Sequence, residues 1–273
     1  MKKVIFIDID DTLLTGDKKI LDETKVAIKN YVKKGGEIIL TTGRSDFSLQ
    51  SLVPDLEVSP YIICNNGALA YDKKRKHLIY HNAICYEDLE QLLKYIEDMR
   101  IGAYINVLNS RYKNEYSEDL DSPLTYKFEE IKEFKRQLVF QVVIQLFHDY
   151  DRAKLIEKYL NSLKSLKICN ESRSLLENND SMSCYYYFDI CNNGTNKGKA
   201  VKEVLRYLGI NKEDAVAIGD HVNDLSMFDE VGLKVAMKNG YQSLKEKADI
   251  ITKFDNNHNG VGEIIERITN NLL

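Results

Sequence analysis

The 273-residue sequence has no tryptophan, three prolines and five cysteines. It also has no apolar run near the ~20 residues that a membrane-spanning helix requires. The first apolar stretch, Val4 to Ile9, is broken by Asp8, which makes it a strand and not a signal peptide. Cys64, Cys85, Cys169, Cys184 and Cys191 are odd in number and have no close C-x-x-C spacing, so neither a disulfide framework nor a zinc knuckle is indicated. Buried free thiols in a reducing cytoplasm are expected instead. Basic residues are scattered and the formal net charge is −4, which gives no electrostatic footprint for nucleic acid or an anionic membrane. No nucleic-acid partner and no membrane association are expected; monomer and homodimer both stay open. With 44% hydrophobic and 29% charged residues, the composition is that of an ordinary globular protein of one large domain or two of usual size.

Lys3 to Ile9 is a continuous apolar strand, suited to the buried centre of a parallel sheet, that runs into Asp8, Asp10 and Asp11 and then Thr12, Leu13 and Leu14. Asp22 can cap a helix with Val26, Ala27, Tyr31 and Val32 on one face, ended by Gly35 and Gly36. A strand from Glu37 to Leu40 stops at Thr41, Thr42, Gly43 and Arg44, completing a βαβ unit. A third strand, Tyr61 to Cys64, ends at Asn65, Asn66 and Gly67. From about Ile84 helices and hairpin-linked strands alternate differently, as in an α+β insert with a largely antiparallel sheet. After Cys191 the first pattern returns, with a helix from Asn196 to Leu208, a strand from Ala215 to Ile218 that ends at Gly219 and Asp220, and strands at Leu233 to Ala236 and Ile250 to Thr252. The expected architecture is α/β: a Rossmann-like, doubly wound parallel sheet in a discontinuous domain, residues 1–82 and 189–273, with an α+β domain inserted over 83–188.

In such a sheet ligands bind outside the carboxyl ends of the strands, where Asp8 and Asp10, Thr42, and Asp220 to Asp224 all fall. Carboxylates gathered at one site need a cation or a shared proton. Asp220, from a distant strand, completes a hard oxygen-ligand set suited to Mg²⁺, and no His/Cys group competes for zinc. Thr42, the backbone N–H groups beside Gly43, and the Lys197 ammonium at a helix start would serve the oxygens of a phosphoryl group. Taken singly, each signal is ordinary: Thr42-Gly43 as a turn, Lys197 as a solvated helix residue, Asp220, Asn223 and Asp224 as a turn and cap. Their order along the chain gives them weight.

The string Asp8-Ile9-Asp10-Asp11-Thr12-Leu13-Leu14 resembles the D-x-D-G-T-L-L signature of the haloacid dehalogenase superfamily, in its phosphatase branch. Thr42-Gly43-Arg44 resembles the second motif of that superfamily, Lys197 the third, and Gly219-Asp220-His221-Val222-Asn223-Asp224 the G-D-x-x-N-D fourth. Their spacing resembles the Cof-type subgroup with a large α/β cap. The resemblance implies a phosphatase acting on small phosphorylated metabolites, chiefly sugar phosphates, through an aspartyl phosphate. It makes Asp8 the nucleophile and Asp10 the general acid/base, with Asp8, the Asp10 carbonyl and Asp220 holding Mg²⁺. Thr42, Gly43, Arg44, Lys197 and Asn223 would bind phosphate or substrate, Asp224 would orient the groups around it, and the cap would select the substrate. Asp11 departs from the signature's Gly. Arg44 is open between a substrate contact and a salt bridge, and Asn66 and Gly67 are a weaker substrate-contact pair.

Two other readings compete. A phosphomutase would return the phosphoryl group to a sugar. A receiver-type signalling domain would carry its phospho-acceptor at the end of the third strand, where this chain has Cys64 and Asn65.

Overall fold

A computed structural model describes residues 2–52, 56, 58–117, 124–147, 150–178 and 181–273. Along the chain the strands are β1 (Val4–Ile7), β2 (Glu37–Thr41), β3 (Tyr61–Cys64), β4 (Leu69–Asp72), β5 (His77–His81), β6 (Gly102–Val107), β7 (Ser110–Lys113), β8 (Leu124–Thr125), β9 (Val139–Phe147), β10 (Leu166–Asn178), β11 (Ser181–Asn192), β12 (Ala215–Gly219), β13 (Leu233–Ala236) and β14 (Ile250–Ile251). The longer helices are α1 (Asp22–Lys33), α2 (Asp46–Leu52), α3 (Tyr86–Asp98), α4 (Tyr150–Ser162), α5 (Lys197–Leu208) and α6 (Gly260–Thr269). Among the described residues no helix is long and apolar enough to cross a membrane.

The chain forms two compact units, one of Met1–Arg44, Leu49–His81 and Asn196–Leu273, the other of Ser45–Ser48 and Asn82–Thr195. The boundary expected at 188/189 falls inside β11, which pairs with β10 as far as Asn192, so the second unit runs on to Thr195. Ser45–Ser48, expected in the first unit, also belongs to the second.

The first unit holds an eight-stranded sheet in the order β14-β13-β12-β1-β2-β3-β4-β5. It is parallel from β14 to β3, and the hairpin β4–β5, for which the sequence reading had no strand, adds an antiparallel edge. Strand alternation sends Val4, Phe6, Ile39, Ala215 and Ala217 to one face, where they pack with Ala200, Val201 and Val204 of α5. Ile5, Ile7, Ile38, Leu40, Val216 and Ile218 are buried on the other face. The chain winds from β1 outward through β2 and β3, then returns to place β12 on the opposite side of β1. The sheet therefore reverses between β1 and β12, the position where a doubly wound sheet opens a crevice.

The second unit has its own six-stranded sheet, β10-β11-β9-β6-β7-β8, antiparallel except for β7–β8. Its core joins Ala103, Ile105, Val142, Ile144 and Phe188 to Leu89, Leu92 and Leu93 of α3 and Ile156 and Leu160 of α4.

Three local expectations are corrected. The cap of α1 is Leu21, and Asp22 stands in the first turn, where its charge suits the helix dipole. The buried stripe of α1 is Thr24, Ala27, Ile28 and Tyr31, a 3- and 4-residue spacing that leaves Val26 54% exposed. Cys64 and Cys191 are buried, but Cys85 is exposed and Cys169 half-buried; the Cys184 side chain lies outside those described.

The α1 stripe has a direct test. Ile28→Ala should cost about 2–5 kcal/mol of unfolding free energy, and Val26→Ala should stay within about 0.5 kcal/mol of the parent. Urea denaturation of the two variants checks the assignment; equal losses would overturn it.

Candidate active site

Asp8 follows directly on β1, and its N–H donates to the Ile218 carbonyl of β12 at 3.0 Å. The same register, Ile7 opposite Ile218, puts Gly219 and Asp220 at the neighbouring strand end. Lys197 opens α5, whose first turn is capped by the Asn196 side chain accepting from the Lys199 N–H at 2.8 Å. Its ammonium is 1% exposed and donates to Asp8 Oδ1 at 2.5 Å and to Asp224 Oδ1 at 2.6 Å. The other oxygen of Asp224, Oδ2, accepts the N–H groups of Asp220 and His221, each at 3.0 Å.

Two glycines make this approach possible. A Cβ on Gly198 would lie 2.0 Å from the Ser226 carbonyl oxygen, and one on Gly219 would lie 2.5 Å from Asp224 Oδ2. No side chain fits at either place.

Asp220 Oδ1 accepts the Thr12 hydroxyl at 2.7 Å. Ligand oxygens of Asp8, Asp220 and Asp224, all buried, lie within 4.8 Å of one another. Burial opposes charge on Lys197, but the Asp224 and Asp8 carboxylates outweigh it and hold the ammonium protonated well above the usual range for lysine. Burial pushes Asp8 well up against the opposing pull of Lys197, and the charges of Asp224 and Asp220 add to the rise. Asp220 is pushed up to about 6, chiefly by burial, with Thr12 lowering and Asp224 raising it. One ammonium does not balance three buried carboxylates. The surplus is negative and the donors are oxygens, which is the chemistry of a hard divalent cation site.

The Asp10 carboxylate is engaged elsewhere. It is 35% exposed and accepts from Arg44 Nε at 2.6 Å, Arg44 Nη2 at 2.7 Å and Lys18 Nζ at 3.1 Å. Burial alone would raise its pKa, yet the bonds and charge of Arg44, with Lys18, hold it below the ordinary carboxylate range. Arg44, left open between a substrate contact and a surface salt bridge, is bonded here to Asp10 at a part-buried place. Lys18 was missed in the sequence, where it sits in a polar run without any motif.

Thr42 is buried at the end of β2, its N–H donating to Ile63 O at 2.9 Å and its hydroxyl accepting the Arg44 N–H at 3.1 Å. Asn66 donates its N–H to Thr42 O at 3.1 Å and accepts Asn223 Nδ2 at Oδ1, also at 3.1 Å. Asn65, Asn66 and Gly67 have φ of 51°, 56° and 91°, three successive left-handed residues that turn the chain sharply after β3. Through Asn66 the Thr42-Gly43 strand end meets the Asn223 turn. Asn223 Oδ1 is buried with no hydrogen-bond partner among the described residues.

The profile of a family described as haloacid dehalogenase-like hydrolase matches residues 5–265. The chain belongs to the haloacid dehalogenase-like hydrolases. Among the curated relatives of this hydrolase, two from Bacillus subtilis are named 5-amino-6-(5-phospho-D-ribitylamino)uracil phosphatase. They are YwtE, 28% identical over 97% of this chain and 98% of its own, and YcsE, 28% identical over 96% and 94%. Among solved structures, a haloacid dehalogenase-like hydrolase from Bacteroides thetaiotaomicron superposes with a TM-score of 0.81 at 24% identity, covering 98% of this chain and 100% of that one. The sugar phosphatase BT4131, of subclass IIB, superposes at 0.76 with 22% identity, covering 97% and 98%. This haloacid dehalogenase-like hydrolase is a phosphoric monoester hydrolase.

In this hydrolase Asp11, which replaces the signature's Gly, has φ of 56°. The turn Ile9–Leu13 thus keeps a left-handed residue at that place, and an Asp tolerates the region better than most side chains. Asp11→Gly should hold or raise the urea midpoint, while Asp11→Val should lower stability by about 1–2 kcal/mol. A β-branched variant as stable as the parent would show that the turn relaxes.

Proposed function

We propose that this phosphatase hydrolyses small phosphorylated metabolites, sugar phosphates foremost, with Mg²⁺ as cofactor and Asp8 as nucleophile. The observation that carries the reading is the buried ammonium of Lys197 set between Asp8 and Asp224 at the sheet's switch point, beside Asp220. Asp8, Asp220 and the Asp10 carbonyl would hold the Mg²⁺. Both oxygens of Asp224 already accept hydrogen bonds, which supports an orienting role for it. When bound, Mg²⁺ offsets negative charge on the carboxylates and on the phosphoryl oxygens.

The chain's own groups divide the remaining work. An Asp8 oxygen attacks phosphorus in line; the bond from phosphorus to the leaving oxygen breaks, and Asp10, which must first exchange its bonds to Arg44 and Lys18 for a proton from solvent, gives that oxygen the proton. Water then attacks the acyl phosphate, Asp10 takes its proton, and the bond from phosphorus to Asp8 breaks to release inorganic phosphate. Thr42, the N–H groups beside Gly43, and Lys197 face the equatorial oxygens. Asn66 supports this set by holding the Asn223 amide. A phosphate on a sugar-like chain is supported by the phospho-D-ribitylamino group in the names of two relatives and by the sugar phosphatase among the neighbours. The second unit would set the choice among such substrates.

A panel of phosphometabolites assayed for phosphate release should show turnover with Mg²⁺ and none in chelator; full activity in chelator would remove the proposed cofactor. Asp8→Asn should lose turnover by several orders of magnitude and form no phosphoenzyme, because an amide oxygen is a poor nucleophile. Asp10→Asn should still be phosphorylated by an activated phosphoester, but hydrolyse the adduct slowly, so that phosphoenzyme accumulates. Acid-quenched mass spectrometry reads both, and an adduct on Asp10 in the Asp8 variant would reverse the roles.

A further inference from the structure

Thr41, the last residue of β2, is fully buried, and its hydroxyl has no hydrogen-bond partner among the described residues. The strand register places it beside the nucleophile. Ile7 of β1 stands opposite Leu40 of β2, so one residue further along this parallel pair Asp8 stands opposite Thr41. Asp8 keeps extended dihedrals, φ −67° and ψ 158°, and its N–H still bonds to β12, so the register runs on through it. Alternation puts Thr41 on the same face as Ile39, two residues before it, and as Ile63, its partner on β3. That is the face on which Phe6 packs with α5, the helix from which Lys197 reaches Asp8. A threonine hydroxyl lies one bond from Cβ and a carboxylate oxygen of aspartate two. That reach is enough for the two side chains to meet in a hydrogen bond across the ~4.8 Å between neighbouring strands, by side-chain rotation alone.

A valine has almost the same shape and would suit this apolar face without burying an unpaired hydroxyl, which is destabilising. A contact that is unmade in the resting chain and made during turnover is the kind that accelerates a reaction. We propose that Thr41 is a further catalytic residue, whose hydroxyl donates to the Asp8 oxygen that does not bond to phosphorus. In the acyl phosphate that oxygen is a carbonyl. As water displaces Asp8 from phosphorus, the electron pair of the breaking bond returns to the Asp8 carboxyl group and its charge is shared with that oxygen, so the bond from Thr41 strengthens toward the transition state. The hydroxyl proton stays on Thr41 throughout. Its effect therefore falls on breakdown of the acyl phosphate more than on its formation.

The inference rests on Asp8 as the nucleophile, and rapid acid quench of the Mg²⁺-loaded enzyme with p-nitrophenyl phosphate keeps the two ideas apart. Nitrophenol released in the first turnover reports phosphorylation, and loss of the adduct from Asp8 reports breakdown. If the parent carries no adduct on Asp8, the nucleophile is wrong and the role of Thr41 falls with it; if it does carry one, the variants judge Thr41 alone. Thr41→Val should break down the adduct about tenfold more slowly, form it within about threefold of the parent rate, and unfold at a urea midpoint equal to the parent's or above it. Thr41→Ser, which restores the hydroxyl, should bring breakdown back to within about threefold of the parent. Breakdown at the parent rate in Thr41→Val, equal losses in both steps, or no recovery in Thr41→Ser would overturn the proposal. If Thr41→Val does not fold by circular dichroism, Thr41→Ala set against Thr41→Ser makes the same comparison, and equal breakdown rates in those two would overturn it.

Discussion

One buried ammonium organises the first unit. Lys197 is as enclosed as the apolar core around it, and a lone charge there would be prohibitive. Asp8 and Asp224 make it tolerable by accepting its hydrogen bonds, and Asp224 in turn takes the main-chain N–H groups that follow β12. Neighbouring features keep those groups within reach: α5 is capped at Asn196, glycines stand where Cβ atoms would collide, and the sheet reverses between β1 and β12. Breaking a buried pair of this kind leaves an uncompensated charge, which is why its parts constrain one another so tightly.

The two aspartates near the start of the chain show how environment separates like residues. Asp8 extends a central strand and is shut into the carboxylate cluster; Asp10, two residues on, leaves the strand and is gripped at a half-exposed place by Arg44 and Lys18. Burial dominates the first, and cations dominate the second. A short irregular turn is enough to hold them apart.

The sheet could be read from the sequence because continuous apolar strands ending in polar clusters have few other uses, and Asp8, Thr42 and Asp220 stood at those ends. Lys197 has no distinguishing property among 38 basic residues, and only its place in an ordered set of motifs singled it out. Other features were hidden for physical reasons. Lys18 reaches Asp10 through a turn with left-handed residues at both positions 11 and 18, which no periodicity encodes. Membership of Ser45–Ser48 in the second unit depends on side chains of β6 and β7 some 60 residues later, with Arg111 bonded to Ser48 at a separation of 63. The exposed Val26 shows the same limit on a small scale, since an apolar residue one step off the stripe looks the same in a sequence as one on it.

The strand order also governs how the chain can be made. β1 pairs on one side with β2, available within about thirty residues, but its other edge waits for β12, more than two hundred residues later. During synthesis the N-terminal segment therefore emerges with a bare, apolar strand edge, the kind that invites pairing with a foreign chain. The bond from Lys197 to Asp8 spans 189 residues and the one from Thr12 to Asp220 spans 208, so the cluster cannot close until nearly the whole polypeptide has left the ribosome. The intervening second unit has a core of its own, and its last residue, Thr195, precedes Lys197 in the chain. A chain of this topology exposes that edge for most of its translation and closes its carboxylate cluster only at the end.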